Sequence, residues 1–350
     1  MSLSLAPLAA TATTGQSSIG TPTLWALLIG AVVALLVLDF LITRRPHEVT
    51  MREAVAWSAF YVALPLLFGG YVWAAYGGDR GLEYYSGYVV EKSLSVDNLF
   101  VFMLILSAFA VPAVLQQRVL LYGIIGALVL RGVFIALGAA ALQAFDWVFL
   151  LFGLVLVATA VKILRDAVTG ANHEVDVDRM GSVRLLRRFF PVTEDYEGPR
   201  MLSRVGGRRA LTPFAVVVFA VLATDIVFAV DSVPAVYGIT GDPFLVFATN
   251  AFALLGLRSL YFVLQGALDK LVYLGFGLAA ILAFIGAKLG LHWAHLTWPG
   301  VPEIPTTTSL LVIVGILVVT TVGSLVSVRR REAARRAVEP AGQDEKVSVR

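Results

Sequence analysis

The sequence contains no cysteine, and only 15% of its 350 residues are charged. The missing cysteine excludes disulfide scaffolds, thiolate metal sites and cysteine nucleophiles. The shortage of charge excludes a soluble globule. Hydrophobic residues make up 58% of the chain, where soluble domains average about 25% charged and about 45–50% apolar, and so few charges could not cover that much apolar surface. A mean hydropathy of +0.83 agrees. Histidine is scarce as well: His47, His173, His292 and His295 are the whole set, and all four are expected in loops, which leaves zinc or soft-metal chemistry inside a membrane poorly supplied. No hydrolase triad, P-loop or dinucleotide turn is present, so an enzyme is not expected. Nor is nucleic acid an expected partner. The net charge is only +3, and the arginines fall in short clusters of the kind that membrane topology produces.

What the chain has instead is long apolar runs, each close to the 20 or so residues that cross a bilayer as a helix. They predict nine spans, at about 23–43, 54–76, 86–110, 117–139, 146–165, 211–236, 243–264, 270–289 and 307–328. The fold class expected is all-α, a polytopic transmembrane helical bundle. Residues 1–22 lack the basic opening of a cleavable signal peptide and read as an external polar tail. Positive charge tests the count. Arg44, Arg45 and Arg52, then Arg118, then Arg179, Arg184, Arg187, Arg188, Arg200, Arg204, Arg208 and Arg209, then Lys270, then Arg329, Arg330, Arg331, Arg335 and Arg336 all fall on one side of nine alternating helices. By the positive-inside rule that side is cytoplasmic, so the amino terminus lies outside and the carboxyl terminus inside. The loop 166–210 is the only sizeable polar segment. It reads as charge-mixed and solvated, with Arg184–Phe190 as a possible amphipathic turn on the inner leaflet, and with a weak metal-sensing patch at His173, Glu174, Asp176 and Asp178 as the sharper alternative. Residues 329–350 read as a disordered cytoplasmic tail.

The chain also repeats itself. Leu94, Asp97 and Phe100 align with Leu222, Asp225 and Phe228, Leu130-Arg131 with Leu257-Arg258, and Phe152-Gly153-Leu154 with Phe276-Gly277-Leu278. Residues of about 86–165 therefore match those of about 211–289. With three helices per unit the two copies must cross in opposite directions, an inverted three-plus-three repeat of the kind found in secondary transporters.

The matched positions include ionisable residues inside spans, where a charge costs about 2.5–3.5 kcal/mol and must face protein, water or an ion. Asp97 and Asp225 lie well inside their helices, with Glu91 and Asp231 closer to the outer ends. Asn98, Thr224, Ser232 and Ser95 add oxygen donors, and an oxygen-only set suits hard divalent cations such as Mg, Ca and Mn. The competing reading is structural, with Asp97 paired to Arg131 and Asp225 to Arg258. Against it, four acids face two arginines and the near-interface Lys92, a negative surplus that a cation relieves. Ser232-Val233-Pro234 predicts a helix interrupted beside the site. Gly123 and Gly126 read as close-packing residues, and Trp25, Trp73, Trp147, Trp293 and Trp298 as interface belts.

The stretches from Glu91 through Asp97-Asn98 to Phe102, and from Asp225 through Asp231-Ser232 to Pro234, resemble the two signatures of the TerC family, and Asn250 through Arg258 to Tyr261 resembles its third motif. The resemblance covers about residues 20–328. It implies a protein of the LysE-like transporter group, linked to tellurium resistance and in several members to manganese export. By this resemblance Asp97, Asn98, Asp225 and Asp231 line a metal path; the reading of the residues themselves adds Glu91 to the metal set and Arg131, Arg258, Asn250, Ser232 and Thr224 as supporting ion-pair or substrate residues. Leu222 stands where many relatives have glutamate. The expected function is export of a divalent cation, Mn²⁺ first, by proton exchange, with no permanently bound cofactor. Expected partners are the lipid bilayer and the transported ion, with a homo-oligomer left open. Alternatives are an oxyanion or amino-acid exporter that clamps its substrate with Arg131 and Arg258, and a membrane stress or assembly factor that transports nothing.

Overall fold

The computed structural model describes residues 18–43, 50–169, parts of 183–205, 208–264, 273–298 and 300–338. The helices are α1 (Pro22–Thr43), α2 (Met51–Tyr76), α3 (Gly78–Ala108), α4 (Ala113–Ala144), α5 (Trp147–Thr169), α6 (Pro213–Tyr237), α7 (Pro243–Leu255), α8 (Leu257–Leu264), α9 (Leu274–Thr297) and α10 (Thr306–Val338). A hairpin of β1 (Leu202–Val205) and β2 (Arg208–Leu211) precedes α6. Seven of these helices are long and apolar enough to cross a membrane, and α7 with α8, bent by 43° at Gly256, passes the same test as a pair, the form of a broken span or a re-entrant loop. The remaining long helix is α3, whose 31 residues include Asp79, Arg80, Glu83, Glu91, Lys92 and Asp97. At about 46 Å it is long enough to span, and it traverses the bundle. Near its start Glu83 accepts a hydrogen bond from Thr240 at 2.8 Å, while at its other end the Phe109 carbonyl accepts one from Tyr196 of the α5–α6 connection at 2.8 Å.

Each of the nine expected apolar runs is thus helical among the described residues, with corrected ends; seven pass as candidate spans, the bent pair α7–α8 is a further candidate, and α3 is too charged to be counted with them. α3 begins at Gly78 rather than near 86, which places Glu91 in the middle of the helix instead of near its outer end. α6 is not interrupted at Ser232-Val233-Pro234 but continues to Tyr237. Pro234 lies in its last turn; it leaves the Val230 carbonyl without a helical N–H partner, and α6 ends three residues later. The break falls at Gly256 instead. α9 extends to Thr297 and takes in His292 and His295, so those two histidines are helical, and α10 continues through Arg329 and Arg330 to Val338, so the first ten residues of the expected disordered tail are helical too. The loop 166–210 contains the β1–β2 hairpin, which was not expected. Residues 1–17, Arg44, Arg45, His47, His173, Glu174, Asp176, Asp178, Arg179, Arg187, Lys270 and the tail beyond Val338 lie outside the described residues, and Arg184–Phe190 is described only in part.

The outward faces are apolar, as a lipid solvent requires: Leu67, Leu137, Val227 and Val319 are 72%, 63%, 63% and 71% exposed. Trp73, Trp147 and Trp298, at the ends of α2, α5 and α9, are exposed as interface residues should be. Inside, α3 packs on α6 and α7, α4 on α6 and α7, and α5 along α9. Gly153 and Gly286 bring those last two backbones together, since a Cβ on Gly153 would lie 2.7 Å from the Gly286 carbonyl and one on Gly286 2.8 Å from the Gly153 carbonyl. Gly123 and Gly126 do act as packing notches on α4, against Val221 and Leu222 of α6. Exchanging α3 with α6, α4 with α7 and α5 with α9 maps these contacts onto one another.

Topology fusions test the alternation. A reporter after Arg336 is expected to read cytoplasmic and one at the amino terminus external, whereas two ends on the same side would remove a span.

Candidate functional site

Glu91 and Asn98 are seven residues apart on α3, two helical turns, and so share one face. That face meets α4, α6 and α7, and the side chain waiting there is Arg131. It is 1% exposed, Glu91 and Asp225 are fully enclosed, and Asn98 and Asn250 are buried. Arg131 Nη1 donates to Glu91 Oε1 and, at 2.7 Å, to Asn250 Oδ1. Its Nε and Nη2 donate to the two oxygens of Asp225 at 3.4 and 3.2 Å. With the Asn98 amide turned to satisfy both its ends, Asn98 accepts from Nη2 at 3.0 Å and donates to the Leu94 carbonyl at 3.1 Å. All five guanidinium hydrogens are thus used. Asn250 Nδ2 closes the ring by donating to Glu91 Oε2 at 3.3 Å.

The remaining sequence candidates are distributed around this hub. Asp231 is part-buried and lies within the electrostatic reach of both Arg131 and Glu91. Asp97 is also part-buried, but it sits about 100° of helix rotation away from Asn98, off the hub face. Ser232 and Ser95 are buried, and among the described residues their hydroxyls have no hydrogen-bond partner. Thr224 turns its hydroxyl to the Ala220 carbonyl at 2.8 Å, a local bond along α6. Leu222 packs into the notch at Gly126. Among the described residues no three acidic or histidine side chains converge on a common metal-sized point. Here the acids converge on Arg131.

This pairing corrects the structural alternative drawn from the sequence. Asp225 binds Arg131, not Arg258, and it does so together with Glu91. Arg258, 4% exposed, pairs through Nη2 with Asp39 of α1 and through Nη1 with Gln117 of α4 at 3.2 Å. Asp39 was missed. It is a lone acid near the end of an apolar helix, and its only sequence signal is the cost of a buried charge. Nearby, Lys92 donates to the Ala253 carbonyl at 3.4 Å, supplying a partner where the bend at Gly256 frees backbone acceptors.

Four core helices joined by Glu91, Arg131, Asp225 and Asn250 bring residues of all three motifs together, and comparison with known proteins decides what that means. The model of the TerC family of integral membrane proteins matches residues 76–332. The chain belongs to the TerC family. An uncharacterized membrane protein of Myxococcus xanthus is 42% identical over 313 residues, 89% of this chain and 95% of its own length. One of Mycobacterium tuberculosis is 43% identical over 317 residues, 88% of this chain and 80% of its own. A third TerC relative, named "Putative membrane-bound redox modulator Alx", from Escherichia coli, is 39% identical over 316 residues, 87% of this chain and 95% of its own. No solved structure matches. The TerC match begins at the end of α2, so the hub lies inside it and Asp39 outside.

The two arginine networks make a testable distinction. Arg258→Ala strands Asp39 in the bundle, a loss of about 3–5 kcal/mol for a broken buried pair, seen as a lower thermal midpoint of the solubilised protein. Asp39→Asn in that background is expected to recover much of the loss, and Asp225→Asn is expected to recover none.

Proposed function

We propose that this TerC protein is a secondary transporter that moves a divalent cation, Mn²⁺ by preference, out of the cell through the acidic centre of its bundle, in exchange for protons. The observation that carries the reading is the charge balance at the hub. Arg258 is committed to Asp39, so Glu91, Asp225 and Asp231 share a single guanidinium. Ionised together they leave a negative excess in a setting where like charges repel strongly. A divalent cation or protons relieve that excess, and alternation between the two is the chemistry of an exchanger. The donors present are hard oxygens: the carboxylates, the amides of Asn98 and Asn250, and the hydroxyls of Ser95 and Ser232.

Loading in this scheme requires the guanidinium to leave at least one carboxylate, so that Arg131 acts as the internal cation that the transported ion displaces. Asp97, off the hub face, serves the approach to it. The exchangeable packing of α3–α5 with α6, α7 and α9 supports an inverted repeat rocking about this centre, with the amino terminus outside. The arginine-clamp reading for an oxyanion or amino acid loses its donors, because all five hydrogens of Arg131 are taken and Arg258 faces α1. The modulator name carried by the Escherichia coli relative favours no thiol chemistry here, since the chain has no cysteine.

Inverted vesicles loaded by ⁵⁴Mn uptake provide the test, with tellurite and lysine in parallel. Manganese is expected to accumulate with the parent protein. Glu91→Gln and Asp225→Asn, each retained in the membrane, are expected to fall to the level of empty vesicles, and Asp97→Asn with them. Accumulation by the two hub variants at the parent rate would make the carboxylates structural. Uptake of none of the three solutes would favour an assembly or stress role.

A further inference from the structure

The β1–β2 hairpin plays no part in the transport scheme, yet its composition is unusual for a polar connection. Its register sets Arg204 directly opposite Arg209 and Leu202 opposite Leu211. These four residues share one face, while Ser203 and Ala210 share the other. Ala210 is buried, so its face is turned inward, and the face with Arg204 and Arg209 is turned outward. Two like charges directly opposed across an antiparallel pair destabilise it unless something negative lies between them. Arg200 joins them, and with Leu202 and Ser203 the three arginines line one open cleft of about 540 Å³; among the described residues no carboxylate lines it.

The surroundings of the cleft are apolar. Leu202 is 57% exposed, and Met201 and Phe190 are exposed beside it, the opposite of what a water-facing hairpin presents. The hairpin is also tied to the membrane surface. β2 ends at Leu211 and α6 starts at Pro213, with Thr212 as its N-cap. Thr212 binds the hairpin back, its hydroxyl to the Arg200 carbonyl and its N–H to the Met201 carbonyl at 3.1 Å. Tyr196 fastens the same segment to the end of α3. The arginines are thereby held beside the last turn of α3 and the first turn of α6.

We infer that Arg200, Arg204 and Arg209 form a clasp for the phosphate of an anionic phospholipid, with Leu202, Met201 and Phe190 against the adjoining acyl region. Guanidinium forks match phosphate oxygens two at a time, and basic side chains at this depth are drawn to anionic headgroups. The bound phosphate bridges the opposed Arg204 and Arg209 and fixes the hairpin on its leaflet.

The test uses the purified full-length protein in neutral detergent, with native mass spectrometry of retained lipid and the thermal midpoint as readouts. Phosphatidylglycerol is expected to be retained and to raise the midpoint more than phosphatidylcholine does. Arg204→Gln/Arg209→Gln is expected to erase that preference, while Arg52→Gln, at the start of α2, keeps it. If the double variant does not accumulate, Arg204→Gln alone is measured, with a reduced preference expected. Equal effects of the two lipids would overturn the inference, as would an undiminished preference in the variants. Inorganic phosphate at matched ionic strength forms a separate arm. A shift equal to that from phosphatidylglycerol would mean a free-anion site and would also overturn it.

Discussion

A guanidinium enclosed at the centre of a membrane bundle constrains everything around it. Arg131 has no water to fall back on, so each of its donors needs an acceptor from a neighbouring helix, and it finds them on α3, α6 and α7. The desolvation of such a charge is only offset when partners and geometry are complete. Completeness here fixes the rotation of α3, because Glu91 and Asn98 must both face α4. It fixes the depth of α6 through the two-oxygen grip on Asp225, and it fixes α7 through Asn250, which binds the arginine and Glu91 at once. Lipid supplies little apolar driving force between helices, so polar bonds of this kind and close glycine contacts carry the packing. Gly153 against Gly286 does for α5 and α9 what the arginine does for the other four.

The second buried arginine shows why the hub retains its negative excess. Were Arg258 turned to Asp225, as the internal repeat suggests, the acids and bases of the centre would come close to balance. The bend at Gly256 instead directs α8 toward α1 and α4, where Asp39 and Gln117 receive Arg258. Pairing Arg258 with Asp39 leaves Arg131 alone among several carboxylates. That asymmetry is what makes a cation-exchanging centre physically reasonable, while it also locks the non-matching helix α1 onto the TerC core.

Much of this was legible in the sequence, for definite reasons. Crossings emerge because long apolar runs have no other use at this composition, and even the charge-rich α3 was found from its apolar remainder. Glu91, Asp225 and Arg131 stood out because buried ionisable groups are costly and so seldom accidental, Asn98 as an oxygen donor beside Asp97, and Asn250 through the resemblance to the third motif. The pairing did not emerge. Which acid meets which arginine depends on helix rotation and on a 43° bend, neither of which leaves a trace in hydropathy. Asp39 was invisible for the same reason, its partner being 219 residues away. Pro234 signalled a break at the motif, whereas α6 continues past it to Tyr237 and only then ends. The hairpin was hidden by Gly206-Gly207 in a charge-mixed loop, where four-residue strands with arginines give no alternating pattern.

The most direct measurement neutralises the hub without emptying it. Glu91→Gln, Arg131→Met and Asp225→Asn combined keep the volume and remove the guanidinium and the two carboxylates bonded to it. Manganese uptake into inverted vesicles, scaled to the amount of folded protein, separates packing from transport in one experiment. The account predicts that the triple variant accumulates better than Arg131→Met alone, because neither carboxylate bonded to Arg131 is stranded, and transports nothing. A triple variant that still concentrates manganese would contradict it.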